Sequence, residues 1–319
     1  MLIASPAIAA DPPLPVEISR IAFGSCLRQD KPAPILDAIA ETKPDVFIWL
    51  GDNIYGDSDD PKVMQAKYDT LAAIPGFQKL RQQTPFLYVW DDHDYGKNDA
   101  GVEYAFKEQN KTVMLDFFGE PKDSERRKRD GNYDSKIIGP TGRRVQFLLL
   151  DTRSFRSPLK QEVRDKVKWN VPNTDEGATV LGDAQWKWLE EELKQPAEVR
   201  VVCSSIQVIP TEHRFEKWAN FPKERERLLK LLEPFSGSLL IISGDRHHGS
   251  VHHLAGLGTS EVTASALNQP GTPTQQDINS ATSREPPIGK PNYGWMEIDW
   301  SKPNGSRLLF GLKAFEATP

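Results

Sequence analysis

Cysteine is scarce in this chain: Cys26 and Cys203 are the two among 319 residues. Two thiols are too few for a disulfide framework, and their separation fits no zinc ribbon. Their number does not fix the redox compartment. No apolar run approaches the roughly 18 residues that cross a bilayer. Basic charge is not in excess, since 40 Lys and Arg face 45 Asp and Glu for a net charge of −5. That balance argues against a nucleic-acid-binding surface. No internal repeat is visible.

What is present describes a soluble globular protein, with 38% hydrophobic and 27% charged residues. The length exceeds the usual single domain but allows one large core, and one domain is expected over 20–319. The 25 prolines point to long, ordered loops. Residues 1–19 are set apart as a leader. Leu2 to Ala10 reads as the end of a signal peptide, with Ala7-Ile8-Ala9 as the cleavage site before Asp11. The basic region that normally precedes such a segment is missing, which points to a truncated or misplaced start. A periplasmic or secreted protein is the expectation.

Asp45-Val-Phe-Ile-Trp-Leu-Gly-Asp-Asn-Ile-Tyr-Gly56 organises the rest. Val46 to Leu50 has the length and composition of a strand buried on both faces. It stops abruptly on Gly51-Asp52-Asn53. A carboxylate at the end of a buried strand lies at the sheet edge, where open α/β folds bind ligands. Asp52 can bind a cation through both oxygens, and Tyr55 can turn its phenol toward the same point.

Three other apolar runs end in the same way. Arg20 to Gly24 leads to Ser25-Cys26, Pro85 to Trp90 leads to Asp91-Asp92-His93-Asp94, and Leu239 to Ile242 leads to Ser243-Gly-Asp-Arg-His-His248. Arg144 to Leu150 is a further strand, ending at Asp151-Thr152-Arg153. Helical spacing falls at 33–41, 61–73, 102–118, 183–194 and 224–232. Residues 120–135, 157–180 and 268–291 read as loops, and the C-terminal part is rich in strands. Such an order predicts a layered α/β sandwich of two sheets flanked by helices and does not fit a TIM barrel.

Gathered along one edge, these strand ends supply one thiol, one phenol, several carboxylates and an imidazole. Five of the six histidines fall in two short stretches, 93 and 247–253, which a solvated surface would not produce. The donor set suits a transition metal such as Fe(III) or Zn beside a harder ion such as Ca, Mg or Mn. Two cations about 3.5–4 Å apart, bridged by one carboxylate, can clamp a phosphoryl group and hold the attacking hydroxide.

Five motifs in order carry a resemblance. Phe23-Gly-Ser-Cys26, Leu50-Gly-Asp-Asn-Ile-Tyr55, Trp90-Asp-Asp-His-Asp94, Leu150-Asp-Thr-Arg153 and Ser243-Gly-Asp-Arg-His247 resemble those of the alkaline phosphatase D (PhoD-like) family. That family lies within the calcineurin-like metallophosphoesterases, and the likeness spans roughly residues 20–300. It implies a four-layer αββα sandwich and hydrolysis of phosphomonoesters or phosphodiesters by a metal-bound hydroxide. It also implies an iron-plus-calcium site. Carried over residue by residue, Cys26 and Tyr55 would ligate Fe(III), and Asp52 would bridge the metals. Asp92 and Asp245 would hold the harder ion and His247 the iron. His93 would assist the departing oxygen. Asn98, near asparagines that the family has beyond its D-D-H-E, would join the second site.

Plainer readings stand beside these. Cys203 lies within an apolar strand and reads as core. Asp91 reads as a capping or pairing residue, His248 as structural or substrate-facing, and His252 and His253 as residues of a strand, one of which can edge the pocket. Arg153 and Arg156 are either ion-pair partners or phosphate binders. Arg126-Arg-Lys-Arg129 reads as solvated surface. The competing functions are a metal-containing protein that binds phosphate or phospholipid without turnover, and a mononuclear zinc hydrolase.

Overall fold

The run Val46–Leu50 forms a strand whose five residues are all buried, and the fold is built outward from it. The structure is a computed structural model that describes residues 12–301 and 307–316. Strands are numbered in chain order. One sheet contains β1 (Arg20–Gly24), β2 (Val46–Leu50), β3 (Phe86–Val89), β12 (Asn292–Asp299) and β13 (Arg307–Ala314), in the order β13-β12-β1-β2-β3. The other contains β4 (Asp134–Ile138), β5 (Val145–Leu149), β8 (Val199–Cys203), β9 (Ser238–Ser243), β10 (Gly249–Leu254) and β11 (Thr259–Ala264). Its order is β10-β11-β9-β8-β5-β4. A separate hairpin pairs β6 (Lys160–Arg164) with β7 (Val167–Val171).

Alternation along β2 shows how the layers arise. Phe47 and Trp49 enter a cluster with residues of helices Ile35–Glu41, Pro61–Ala72, Pro75–Gln83 and Lys107–Phe117. Val46, Ile48 and Leu50 point the other way, into a cluster shared with Val145, Phe147, Val201 and Ile242 of the second sheet. The far face of that sheet, through Leu148, Val202 and Ile241, packs on Trp186, Leu189 and Leu228 of helices Gly182–Glu192 and Pro222–Leu232. Side chains of one strand alternate faces, so a continuous apolar run is what a strand sandwiched between two cores requires. The result is a four-layer αββα sandwich of two mixed sheets. Cys203 lies in the inter-sheet core, as its setting predicts.

Five parallel pairings bring the strand ends together. β1 runs parallel to β2 and β2 to β3, so the chain leaves one edge after Gly24, Leu50 and Val89. In the other sheet β5, β8, β9 and β11 are mutually parallel. Glycine lets the two edges touch. A Cβ on Gly244, just past β9, would lie 2.6 Å from Ser25 Oγ and 2.8 Å from the Leu50 carbonyl.

Several elements depart from the sequence reading. The helix expected from residue 102 starts at Lys107. Pro75–Gln83 adds a helix, and β4 adds a strand within the charged 120–135 segment and just beyond it. Arg126, read as solvated, is buried: it donates to the Tyr88 and Asn132 carbonyls and lies over the Tyr88 ring. The hydrophilic segment 157–180 contains the β6–β7 hairpin. The cleavage site at Ala7–Ala9 lies outside the described residues.

Candidate metal centre

The strand-end residues converge. Ligand atoms of Cys26, Asp52 and His247 lie within 4.8 Å of one another, as do those of Asp52, Asp92 and His93, and those of Asp91, Asp92 and Asp245. Asp52 belongs to the first two groups and Asp92 to the last two. Four loops, following β1, β2, β3 and β9, thus make one continuous centre.

The backbone is bent to achieve this. Cys26, Asp52, Asp245 and His247 all have left-handed φ, at 58°, 48°, 69° and 55°. Such φ values are uncommon outside glycine and cluster where function demands them. Asp57 and Asp99, which contact the centre, share the feature at 47° and 55°. Gly51, at φ +94°, permits a close approach of the β2 and β3 loops: a Cβ there would lie 2.4 Å from that of Asp91.

Local contacts orient each group. Tyr55 places its hydroxyl 2.9 Å from His247 Nε2 and its ring 4.3 Å from that of His93. Cys26 Sγ lies 3.5 Å from Asp52 Oδ2 and 3.1 Å from Ser265 Oγ, and the same Ser265 accepts from the His247 amide. The Asp99 amide donates to Asp92 Oδ2 at 2.7 Å. His93 Nδ1 lies 2.6 Å from Asp57 Oδ1. Asn98 lines the same cleft as Asp52, Asp92, His93, Asp245 and His247.

Burial dominates the electrostatics. It pushes the Cys26 thiol up to about 12 and the Tyr55 phenol higher still. It also raises Asp52, with Cys26 and Asp92 adding repulsion, and Asp245, with Asp91 and Asp92 adding theirs. Burial pushes His247 down to about 4, which favours the neutral imidazole that a metal ligand must be. For His93 burial works against the proton. The neighbouring Asp52 and the Asp57 hydrogen bond outweigh it and hold the group at about 10.

The PhoD-like phosphatase family model matches residues 22–301. The chain belongs to that family. Among solved structures, one described as "Structure of PhoD" aligns with a TM-score of 0.69 at 15% identity, covering 98% of this chain and 73% of its own. A second, "GAP50 the anchor in the inner membrane complex of Plasmodium", aligns with a TM-score of 0.53 at 12% identity, covering 88% and 81%. At such identities the likeness concerns the fold. No curated protein matches the chain in sequence.

PhoD-like phosphatases are metal-dependent phosphoesterases, and the residues present fit cations. A thiol, a phenol and the carboxyls of Asp52 and Asp245 crowd together, and each of these is driven toward its protonated form by burial. Bound cations reverse that cost, because ligands bind as anions and the charge is neutralised in place. The buried guanidinium nearest the carboxylates, Arg153, is already paired with Asp91.

Of the two readings of Arg153 and Arg156, the substrate-phosphate one is corrected: neither lines the cleft. Both are fully buried. Arg153 pairs with Asp91 and with Glu216 at 2.6 Å, and Arg156 pairs with Glu216 at 2.8 Å. Their role is the ion-pair one: Asp91 and Glu216 hold Arg153, and Glu216 holds Arg156. Besides His93, the cationic residues that line the cleft are Lys168, Arg214 and Arg246. Asp57, Asp99 and Ser265 were missed. Ser265 follows β11 just as the other site residues follow their strands, and that position was the available signal.

Proposed function

We propose that the chain hydrolyses phosphomonoesters, phosphodiesters or both at a dinuclear centre. Cys26, Tyr55 and His247 would hold ferric iron, Asp92, Asp245 and Asn98 would hold calcium, and Asp52 would belong to both. The observation that carries this reading is the membership of Asp52 in two separate ligand groups, one with a thiol and an imidazole and one with a carboxylate and His93. Bound there, the cations supply Lewis-acid stabilisation of phosphoryl charge and an activated water.

The remaining work falls to the chain. Asp57 fixes the His93 ring through Nδ1. The imidazole, which lines the cleft beside the Tyr55 ring, would give a proton to the departing oxygen. The cleft, about 480 Å³, admits a phosphoryl group with a modest alcohol portion. The Ala-rich N-terminus supports a periplasmic or secreted location.

The test is release of nitrophenol from 4-nitrophenyl phosphate and bis(4-nitrophenyl) phosphate by metal-loaded protein. Metal-dependent turnover, abolished in Asp52→Ala, is expected. Absence of turnover across a broad phosphoester panel would overturn the hydrolytic reading and leave a metal-containing binding protein. Elemental analysis separates iron with calcium from zinc, manganese or magnesium. Iron bound by thiolate or tyrosinate also gives a visible charge-transfer colour that zinc cannot.

A further inference from the structure

The cleft is divided by charge. The loops at the sheet edge present Asp52, Asp92, Asp99 and Asp245. Lys168 of β7 and Arg214, from the loop after β8, present positive charge in the same cleft. These two elements are bound to each other. The Asn170 amide donates to the Arg214 carbonyl at 2.8 Å, and Asn220 Nδ2 donates to the Asn170 carbonyl at 2.9 Å. Gln161 Nε2 donates across the hairpin to Asn170 Oδ1 at 3.0 Å. Lys168 and Asn170 are two residues apart on one strand, so they share a face, and both line the cleft.

Pairing sets these cations apart. On the same hairpin Lys160 pairs with Asp175 and Arg164 with Glu162. Arg246 pairs with Asp277. Lys168 and Arg214 form no ion pair with a carboxylate among the described residues. The Arg214 guanidinium is held 4.4 Å over the Phe215 ring, which also carries Arg246 at 4.1 Å. An arginine placed by an aromatic ring and left without a counter-ion keeps its donors for a planar anion.

We propose that Lys168 and Arg214 form a second anion-binding subsite, and that the substrate is a phosphoester carrying a further anionic group, carboxylate or phosphate, beyond the scissile phosphorus. The assignment rests on the phosphoesterase reading above and adds the substrate class to it. A phosphoryl group over the acidic centre leaves the rest of the substrate against this basic wall.

The experiment compares phenyl phosphate with 4-carboxyphenyl phosphate. The wild-type protein should prefer the second by about five-fold in kcat/KM, the upper end for an exposed charge pair. The preference should shrink at high salt. Lys168 is exposed, so Lys168→Glu should fold, and it should bring the ratio to one or below. Arg214→Gln should lower the ratio as well. A wild-type ratio of one, or an unchanged ratio in Lys168→Glu, would overturn the proposal. Calorimetric binding of phenylphosphonate and 4-carboxyphenylphosphonate separates the two readings. Tighter binding of 4-carboxyphenylphosphonate that is lost in Lys168→Glu, with no turnover of either ester, would retain the subsite and refute hydrolysis. Equal binding of the two phosphonates would refute the subsite whatever the turnover.

Discussion

Asp57 Oδ1 lies 2.6 Å from His93 Nδ1, and Asp57 reaches this position with a left-handed φ of 47°. The carboxylate is partly exposed, yet its partner lines the cleft. A carboxylate that fixes one ring nitrogen sets the orientation and proton of the other. Asp57→Asn keeps a residue tolerant of the left-handed backbone and removes the charge. The expected result is a fall in kcat of roughly 10–100-fold with little change in KM. Steady-state kinetics on an aryl phosphate checks it, and an unchanged kcat would remove Asp57 from the mechanism.

Glu216 joins Arg153 and Arg156 out of contact with water. Its removal leaves two buried guanidiniums short of a counter-ion. Breaking a buried pair from one side costs about 3–5 kcal/mol. Glu216→Gln should therefore lower the urea midpoint strongly. A shift equivalent to less than about 1 kcal/mol, within the range of surface ion pairs, would contradict the assignment.

His213 and His252 are buried bases. Burial pushes His252 down to about 4 and His213 well below its ordinary range, with Arg246 and Lys217 adding repulsion at His213. In the unfolded chain both take up a proton near pH 6.5. Between that pH and about 4 the unfolded state binds more protons, so stability is lost as pH falls through the window. Urea midpoints measured from pH 7 to 4 should decline, and His252→Gln should make the decline shallower. A slope identical to that of the wild type would exclude His252 as a source.

Gly51 lies where the loops after β2 and β3 meet, with φ at +94°. An alanine there adds backbone strain and a Cβ 2.4 Å from that of Asp91. Gly51→Ala should lower both stability and metal content. Retention of full metal content would show that the approach can relax.

The parts of the centre legible in the sequence are those carried by short-range pattern. Cys26, Asp52, Asp92 and Asp245 each follow an apolar run, and a buried strand ending on a polar residue delivers it to the sheet edge. Contacts between distant segments left no such trace. Nothing near Arg153 or Arg156 announces Glu216, which is brought to them only by folding. Arg126 looked like one of four solvated cations, because its burial depends on carbonyls of Tyr88 and Asn132. The β6–β7 hairpin was missed for a different reason. Its strands mix charged and polar residues with few apolar ones, and its two-residue turn is Asp165-Lys166 at φ 49° and 64° in place of an asparagine–glycine pair.

The central claim is that one carboxylate serves two cations. Metal counting on protein purified without added chelator tests it most directly, comparing wild type with Asp52→Asn, which preserves the left-handed backbone at φ 48°. Two equivalents per wild-type chain, with loss of both in the variant, is the predicted result. A wild-type protein holding one cation or none, or a variant that retains two, would contradict the account.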